Sequence, residues 1–375
     1  MRAKNVIVFS AAFGAGHIRA AEAIIEEIRR QDSEIEIIHL DYGLFINENL
    51  YTLLKITYLG LIKYAPKIWG KFYYRTANIL PDSTFQSFLN NLGRNKILPH
   101  IKSIDPSLVV CTYPIVSGVI AQLKTEVLTD VPLVTVITDY TVHSQWIHEG
   151  VDLYIVGCKD VHKDLLDRGI DASRIQTTGI PVNTGFEMDL DRQAIIKKLE
   201  LQPNVPTILI MCGAFGVFKD IKAICEFYAN IEMPVQSIIV CGKDEKLYKS
   251  LNEVVKNAKN TMKIYGFINN VEELMAASDV IITKAGGLTV SESLSKQLPL
   301  VIYKPIPGQE EKNALFLVKN ECALIANNQI EIKEITHNIL KYPQKIKKMQ
   351  HATSITSFRR SAESAVKSML RMAAK

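Results

Sequence analysis

Apolar runs of strand length alternate with amphipathic stretches along the first half of the chain. Residues 5–10 are mostly apolar, residues 18–30 repeat apolar positions at the spacing of one helical face, and residues 35–40 form the next apolar run. The same pattern predicts further strands at residues 108–111, 133–138, 153–156 and 175–178. Strands that alternate with helices predict a mainly parallel, doubly wound α/β sheet.

The alternation restarts after a polar segment, residues 184–206, which we interpret as an interdomain linker. New apolar strands are predicted at residues 207–211, 237–241, 262–265, 280–283 and 300–303. The string Ala-Phe-Gly follows the first strand of each half, at residues 12–14 and 214–216. Because 375 residues exceed the usual size of a single core, we expect two Rossmann-like halves that face each other across a cleft.

Composition adds an uneven distribution of charge. Hydrophobic residues make up 47% of the chain and charged residues 22%, which is typical of a folded globular protein. Residues 51–75 hold five basic side chains and no acidic one, and residues 341–375 hold nine basic and one acidic. Since the net charge is +5, the rest of the chain carries −8. This pattern favours an anionic membrane surface as a partner and argues against nucleic acid.

An aromatic and basic insertion at residues 42–94 interrupts the alternation of strands and helices. Lys63, Lys67, Trp69 and Lys71 belong to its most basic part. Aromatic rings with polar tips and long basic side chains are typical of a lipid–water interface. The alternative is a pair of helices that packs its aromatic rings into the core. The charge asymmetry favours the interfacial interpretation.

The chain shows no signal for export or for a membrane span. No stretch of 18 apolar residues occurs, and the amino terminus runs into a strand and a glycine loop without the apolar region of a signal peptide. The six cysteines form no C-x-x-C motif, so we expect reduced, buried thiols. We therefore expect a peripheral protein at the cytoplasmic face of the cell membrane.

The segment SAAFGAGH, residues 10–17, follows the first strand. Gly14 and Gly16 would let the backbone approach a ligand at the start of a helix. The pattern is not G-x-G-x-x-G, because Arg19 occupies the third glycine position, so a dinucleotide site is not expected. His17 is a candidate base or ligand of a hydroxyl group, and the alternative is a histidine that only bonds to the backbone.

The segment TDYTVHSQWIHEGVD, residues 138–152, also follows a strand. Asp139 ends that strand, where ligands of open α/β sheets bind, and His143, Trp146 and His148 come next. The acid and the two histidines would make a metal site, but no fourth ligand is visible. We favour a polar cluster that organises an acceptor, with Trp146 stacked on the acceptor or filling the core.

The segment ITKAGGLTVSESL, residues 282–294, predicts a phosphate-binding loop in the second half. Lys284 ends a strand, Gly286 and Gly287 form a turn, and a helix begins near Thr289. Free N–H groups and the positive end of a helix suit a diphosphate. Glu292 is predicted in the first helical turn, where it would bind a ribose diol or cap the helix.

The segment YKPIPGQEEKNA, residues 303–314, follows the next strand. Its prolines and glycine would present Gln309, Glu310 and Asn313, whose amide and carboxylate groups suit the hydroxyls of a hexose. Asp189 and Asp191 form a D-x-D motif, but it lies in the expected linker and not at a strand end. We therefore expect no metal, so loops and helix ends would stabilise the charge on a leaving diphosphate.

Together these motifs resemble the family of bacterial diacylglycerol glucosyltransferases and plant monogalactosyldiacylglycerol synthases. The segments TGIPV (residues 178–182) and ILIMCGAFGVFKDIK (residues 208–222) add to the resemblance, which runs from about residue 5 to 345. It implies a GT-B fold and metal-independent, inverting transfer of a hexose, glucose in the bacterial members, from UDP-hexose to the 3-hydroxyl of 1,2-diacylglycerol. No cofactor is implied.

The resemblance also implies a division of labour. Residues 1–183 would form the acceptor and membrane-binding domain, with a helix at about 355–375 returning to it, and residues 184–354 would bind the UDP-sugar. The implied donor-binding residues are Gly213, Ala214, Gly266, Phe267, Gly287, Leu288, Thr289, Glu292, Gln309, Glu310 and Asn313, to which the predicted phosphate-binding loop adds Lys284 and Gly286.

Among these donor-binding residues, Gly266 and Phe267 would hold the uracil, residues 287–289 the diphosphate and Glu292 the ribose. Gln309, Glu310 and Asn313 would hold the hexose and phosphate.

The catalytic base stays open at this point. Plant members carry an aspartate just ahead of the first glycines, where this chain has Ala11 and Ala12. His17, Asp139 and His143 are therefore all candidates. Other activities also fit parts of the pattern: a UDP-galactose-dependent synthase, a peptidoglycan-type N-acetylglucosaminyltransferase, a UDP-N-acetylglucosamine 2-epimerase, and a sugar-nucleotide sensor without turnover.

Overall fold

A computed structural model describes residues 5–79, 83–212 and 220–374. The chain divides into two compact units, Met1–Thr184 with Pro307–Gln309 and Phe358–Lys375, and Gly185–Ile306 with Glu310–Ser357. Each unit contains one six-stranded sheet, and the strand pairs of both sheets are parallel. The predicted α/β class with two Rossmann-like halves is confirmed.

The first unit has a sheet of six parallel strands. They are β1 (Asn5–Ser10), β2 (Glu36–Asp41), β3 (Leu108–Cys111), β4 (Leu133–Val136), β5 (Leu153–Val156) and β6 (Ile175–Thr177). Their order is β2-β1-β3-β4-β5-β6. The helices that lie between β1 and β6 along the chain are α1 (Ala15–Gln31), α2 (Glu48–Tyr64), α3 (Pro66–Thr76), α4 (Thr84–Asn91), α5 (Arg94–Ile104), α6 (Pro114–Thr125) and α7 (Lys159–Asp167). Every residue of β3, β4 and β5 is buried, which explains their continuous apolar sequences.

Helix α1 begins earlier than its apolar pattern suggested. It starts at Ala15 instead of residue 18, so His17 lies in its first turn. Gly14 precedes the helix with φ 153°, a backbone conformation that favours glycine. The helix opens with Ala15 and Gly16, whose side chains are a methyl group and a hydrogen atom, and such small residues give little apolar periodicity. The strand predicted at residues 35–40 lies one residue later, at 36–41.

The second unit repeats the architecture. Its strands are β7 (Thr207–Met211), β8 (Gln236–Val240), β9 (Met262–Tyr265), β10 (Val280–Thr283), β11 (Leu300–Tyr303) and β12 (Ala323–Ala326), in the order β12-β11-β10-β7-β8-β9. Its helices are α8 (Arg192–Lys198), α9 (Ile221–Asn230), α10 (Glu245–Lys256), α11 (Val271–Ala277), α12 (Gly287–Ser295), α13 (Gln309–Lys319), α14 (Gln329–Lys341) and α15 (Pro343–Thr356). Strand β12 was not predicted.

The expectation of a linker over residues 184–206 was wrong for most of that segment. Helix α8 lies within it, and the Asp191 side chain caps the helix by accepting from the backbone N–H groups of Gln193 and Ala194. Arg192 pairs with Asp279 at 2.8 Å, and Ile195 is buried. The polar face of a short helix made the segment look like a loop, but it belongs to the second unit.

The last helix, α16 (Ser361–Ala373), packs in the first unit. Val366 and Met369 share a buried cluster with Ile24 and Ile28 of α1. The hydroxyl of Ser361 accepts a hydrogen bond from the backbone N–H of Val182 at 3.3 Å. The second basic segment is therefore divided, because residues 341–357 belong to the second unit and residues 358–375 to the first.

The insertion folds into helices with an exposed apolar surface. None of the residues of α2 is buried, and Leu53 and Ile56 are 61% and 64% exposed. Helix α3 buries Gly70, Tyr73 and Thr76 and exposes Ile68. Aromatic packing into the core thus holds for one face of α3. Helix α2 has no buried residue, although its Tyr58 ring contacts Phe13 with centroids 6.0 Å apart. Across the described residues, we find no helix of the length and apolarity that crossing a membrane requires.

Candidate active site

His17 lies where the strand order of the first sheet reverses. Strands β1 and β3 are neighbours in the sheet but not in sequence, and such a switch point is where open α/β sheets bind ligands. His17 follows β1, and its Nδ1 lies 2.6 Å from the carbonyl oxygen of Thr112, which follows β3. The Thr138 hydroxyl, after β4, lies 3.1 Å from the same nitrogen. Three strand ends thus converge on one imidazole.

These contacts decide which His17 nitrogen is available. A carbonyl oxygen can only accept, so Nδ1 carries the proton and donates to Thr112, and Nε2 of the neutral ring keeps its lone pair. Burial lowers the pKa of His17 to about 4, against a smaller opposing effect of the bond to Thr112. The ring is therefore neutral at physiological pH, with an acceptor nitrogen at the carboxyl edge of the sheet.

Aromatic rings surround this imidazole. Tyr113 lies edge-on to His17 with ring centroids 5.2 Å apart, and Trp146 lies at 6.2 Å. The Thr112 hydroxyl donates to the backbone carbonyl of His17 at 2.8 Å, which fixes the start of α1. Trp146 was predicted from the sequence as a site residue, whereas Thr112, Tyr113 and Thr138 were not. Their position at the ends of adjacent predicted strands was the signal that pointed to them.

His143, a second candidate base, has both ring nitrogens engaged within the protein. Nδ1 accepts from the backbone N–H of Gln145 at 3.2 Å. Nε2 therefore carries the proton in the neutral ring, and it lies 3.3 Å from the Tyr73 carbonyl and 3.1 Å from the Thr76 hydroxyl. Burial lowers the pKa of His143 to about 4. These bonds join its loop to α3 and leave no lone pair for an acceptor hydroxyl.

The remaining polar residues of this segment lie nearby in the fold. His148 is buried, and its Nε2 lies 2.8 Å from the Gln145 carbonyl. Asp139 is half-buried, and its charge adds to burial in raising the pKa of Tyr73. Within residues 5–79, 83–212 and 220–374, no group of three or more His, Cys, Asp or Glu side chains is placed to hold a metal ion.

The second unit has its own switch point, between β7 and β10. The loop after β10 runs through Lys284 and Gly286 into α12. A Cβ built on Gly286 would meet no atom within 4 Å, so there is open space beside this backbone. Burial lowers the pKa of Lys284, while the charge of Glu310 opposes this effect. The loop after β7, including Gly213 and Ala214, lies outside the described residues.

Helix α12 begins at Gly287, two residues before its expected start. Leu288 is buried and Thr289 half-buried in its first turn. Glu292 therefore lies in the second turn and not the first, and its side chain is buried. The capping alternative for Glu292 does not fit, because a cap lies at the end of the helix. The prediction placed the start too late because a glycine has no side chain and so adds nothing to the apolar periodicity.

The loop after β11 is tied to this site by side chains. Glu310 Oε2 accepts from the backbone N–H of Ile306 at 3.1 Å. Asn313 is fully buried and donates through Nδ2 to the Ala285 carbonyl at 3.0 Å. Asn313 thus fixes the backbone just before α12. The amide oxygen of Gln309 is buried and has no hydrogen-bond partner within the described part of the chain.

Gly266 and Phe267 follow β9 at the same edge of the sheet. The Phe267 ring is 58% exposed, and the Lys243 ammonium lies 5.4 Å from its centroid. A Cβ on Gly266 would meet only the Gly242 carbonyl oxygen, at 3.8 Å. The exposed ring and open backbone leave room for a flat ligand, such as a base.

Comparison with known proteins identifies the family. Residues 17–182 match the family model of monogalactosyldiacylglycerol (MGDG) synthase, and residues 207–369 match the C-terminal domain of glycosyltransferase family 28. The processive diacylglycerol beta-glucosyltransferase of Bacillus mycoides is 31% identical over 348 residues, which cover 93% of this chain and 88% of that protein. The chain therefore belongs to the glycosyltransferase family of diacylglycerol glucosyltransferases and MGDG synthases.

Solved structures agree with the GT-B fold of this family. MurG of Acinetobacter baumannii has a TM-score of 0.66 at 16% identity, covering 98% of this chain and 100% of that one. The UDP-GlcNAc 2-epimerase of Neisseria meningitidis, bound to UDP-GlcNAc, has a TM-score of 0.58 at 15% identity, with the same coverage. These likenesses show the fold. Membership in the glycosyltransferase family, and not the fold, decides against the epimerase and sensor alternatives.

Proposed function

We propose that this glycosyltransferase transfers a hexose from UDP-hexose to the 3-hydroxyl of 1,2-diacylglycerol, and that the hexose is glucose. The transfer inverts the anomeric carbon and needs no metal ion. The name of the Bacillus relative supports glucose and diacylglycerol as substrates. The observation that carries the proposal is His17, whose Nδ1 is held by the Thr112 carbonyl so that Nε2 is a fixed proton acceptor.

In the proposed reaction, His17 Nε2 accepts the proton of the lipid hydroxyl as that oxygen attacks the anomeric carbon. The bond from the anomeric carbon to the β-phosphate oxygen breaks on the opposite face, which inverts the configuration. The Thr112 carbonyl stabilises the imidazolium that forms. Backbone N–H groups at the start of α12, together with Lys284, are the groups that would stabilise charge on the departing UDP.

The test is to incubate the protein with diacylglycerol and each radiolabelled UDP-sugar and to separate the lipid products. Label from UDP-glucose should enter a glucosyl lipid of the opposite anomeric configuration, and EDTA should not change the rate. Absence of any labelled lipid would contradict the proposal as a whole. Transfer that requires a divalent ion would contradict its metal-free part alone.

Variants of two acidic residues should distinguish the binding of the nucleotide from the binding of the hexose. We expect Glu292→Ala to weaken UDP and UDP-glucose alike, because it would remove ribose contacts. Glu310→Ala should weaken UDP-glucose about 10–100-fold, as expected for charged hydrogen bonds, and should spare UDP. Isothermal titration of both ligands into both variants measures this difference.

The loop contact of Glu310 calls for a matched variant. Glu310→Gln keeps an oxygen that can accept from the Ile306 N–H, so it should preserve the loop and lose only the charge. Equal loss of UDP and UDP-glucose in Glu310→Ala would assign this residue to loop structure and reject the hexose contact.

The exposed face of α2 and α3 is the proposed membrane surface. Lys63, Lys67 and Lys71 are exposed beside the exposed apolar residues Tyr64 and Ile68. Near an anionic leaflet each lysine contributes roughly 1 kcal/mol of attraction, and apolar insertion adds a part that salt does not screen. We propose peripheral attachment at the cytoplasmic face through this surface.

Reversing the three charges should release the protein from anionic vesicles. Lys63→Glu, Lys67→Glu and Lys71→Glu together should lower binding to vesicles containing phosphatidylglycerol by at least about 100-fold. UDP affinity should not change. The same reversal at exposed Lys246, Lys249 and Lys256 of α10 is the control. Co-sedimentation of the first triple variant as strong as that of the parent would reject this surface.

A further inference from the structure

Aromatic rings form a continuous track in the first unit, leading away from His17. Tyr113 contacts His17 and stacks on Phe13, with ring centroids 5.4 Å apart and planes 3° from parallel. Phe13 in turn meets the edge of Tyr58 at 6.0 Å. The track therefore runs from the proposed base to helix α2, whose residues are not buried.

The track continues from α2 to the exposed face of α3. Tyr58 lies 5.1 Å from Trp69, with the two ring planes at 83°. Phe72 lies 5.8 Å beyond Trp69, and its side chain is 43% exposed. Aromatic rings thus connect the proposed membrane surface to the imidazole that would accept the proton of the lipid hydroxyl. Such a path suits the acyl part of a lipid.

Trp69 carries a buried polar group on this track. Its Nε1 atom is buried and has no hydrogen-bond partner in the residues that the structure describes. Buried polar groups without a partner are rare in folded proteins and call for an explanation. An indole N–H only donates, so the missing partner must be an acceptor. Since aromatic rings line the track and it leads to exposed apolar residues, an acceptor on a mostly apolar molecule fits it best.

We infer that Trp69 Nε1 donates a hydrogen bond to an ester carbonyl of the acceptor lipid, and that this bond selects acylglycerols over ether glycerols. An ester carbonyl is a neutral acceptor at the base of an acyl chain, so it combines the two properties that the track and the indole require. Trp69 is then a specificity-determining residue. The inference rests on the proposed function, because it concerns the acceptor of that reaction.

The test compares two acceptors that differ only in the carbonyl. We expect the parent protein to use 1,2-diacylglycerol with a kcat/KM about tenfold higher than that for the matched 1,2-dialkylglycerol, which is the usual effect of one hydrogen bond. Trp69→Phe keeps an aromatic ring but removes the N–H donor. It should lose this preference because its kcat/KM falls for the diacylglycerol and not for the dialkylglycerol. Trp69→His restores an N–H and should regain part of it.

A matched control removes a hydroxyl that already has a partner. Tyr42 lies 5.9 Å from Tyr113, and its hydroxyl donates to the Leu92 carbonyl at 2.9 Å. Tyr42→Phe should therefore keep the ester preference of the parent. UDP titration and circular dichroism check the fold of each variant. The measurements use mixed micelles, so that vesicle binding does not enter the ratio.

Two outcomes would overturn the inference while leaving the proposed function intact. One is a parent that transfers glucose to both lipids equally well. The other is a folded Trp69→Phe variant that keeps the parent's preference, which would leave the indole N–H with an aromatic contact such as Tyr58. A parent that transfers glucose to neither lipid would reject the proposed function and this inference with it.

Discussion

Replacing His17 with alanine should lower kcat by about 10²–10⁴-fold, the usual contribution of a general base. The Thr112 carbonyl fixes the imidazole so that Nε2 is the proton acceptor. The affinity for UDP-glucose should not change, because His17 belongs to the first unit and the proposed donor-binding residues follow strands of the second. Single-turnover rates at saturating donor measure the effect.

A histidine with a similar bond provides the control. His162 on α7 also contacts a threonine, with Nδ1 2.9 Å from the Thr177 hydroxyl. His162→Ala should retain parent turnover. Added imidazole should restore part of the activity of His17→Ala, since it would enter the space left by the ring. If His17→Ala keeps near-parent turnover, the base is Asp139, because both ring nitrogens of His143 already have partners.

Acid should destabilise the first unit steeply between pH 6.5 and pH 4. Burial lowers the pKa of His17, His143 and His148 to about 4 in the folded chain, whereas the ordinary value is 6.5. Between these pH values the unfolded chain binds the protons and the folded chain does not. The free energy of unfolding therefore keeps its highest value above pH 6.5. It falls as pH falls, by about 3 kcal/mol per histidine when pH 4 is reached.

Three such histidines bring the loss to about 9 kcal/mol, which matches the whole stability of many domains. Both tryptophans of the chain, Trp69 and Trp146, lie in the first unit, so their fluorescence reports its unfolding in urea. The slope of stability against pH should approach about 4 kcal/mol per unit.

A single histidine variant should change that slope in a predictable way. His143→Gln should reduce it by about 1.4 kcal/mol per pH unit, because one proton fewer is taken up on unfolding. The exposed His351, replaced by glutamine, is the control and should leave it unchanged. A parent slope near zero between pH 4 and 6.5 would show that these histidines titrate normally in the folded chain.

The fold class could be predicted because its information is local. Strands buried on both faces need continuous apolar runs, as in β3 and β4, and helices on a sheet need one apolar face, as in α1. Errors arose where local pattern and tertiary contact disagree. Helix α8 is short and mostly polar, and the Arg192–Asp279 pair and burial of Ile195 anchor it to the second unit.

Candidate site residues could be predicted as positions but not as chemical groups. The sequence placed His17, Lys284 and Glu310 after apolar strands, and the structure places all three at carboxyl edges of the sheets. It did not show that Glu292 lies in the second turn of α12, because glycines at the helix start have no periodicity. The roles of these residues in binding and transfer remain predictions.

By itself, therefore, the sequence determined two Rossmann-like halves, the glycine loop after the first strand of the first half, and an aromatic and basic insertion. Only the tertiary structure decided which His17 nitrogen is available, since its partner Thr112 is 95 residues away along the chain. The same holds for the aromatic track to Trp69 and for α16 on α1. Periodicity is written in neighbouring residues, whereas a hydrogen-bond partner is set by which strand ends the sheet order brings together.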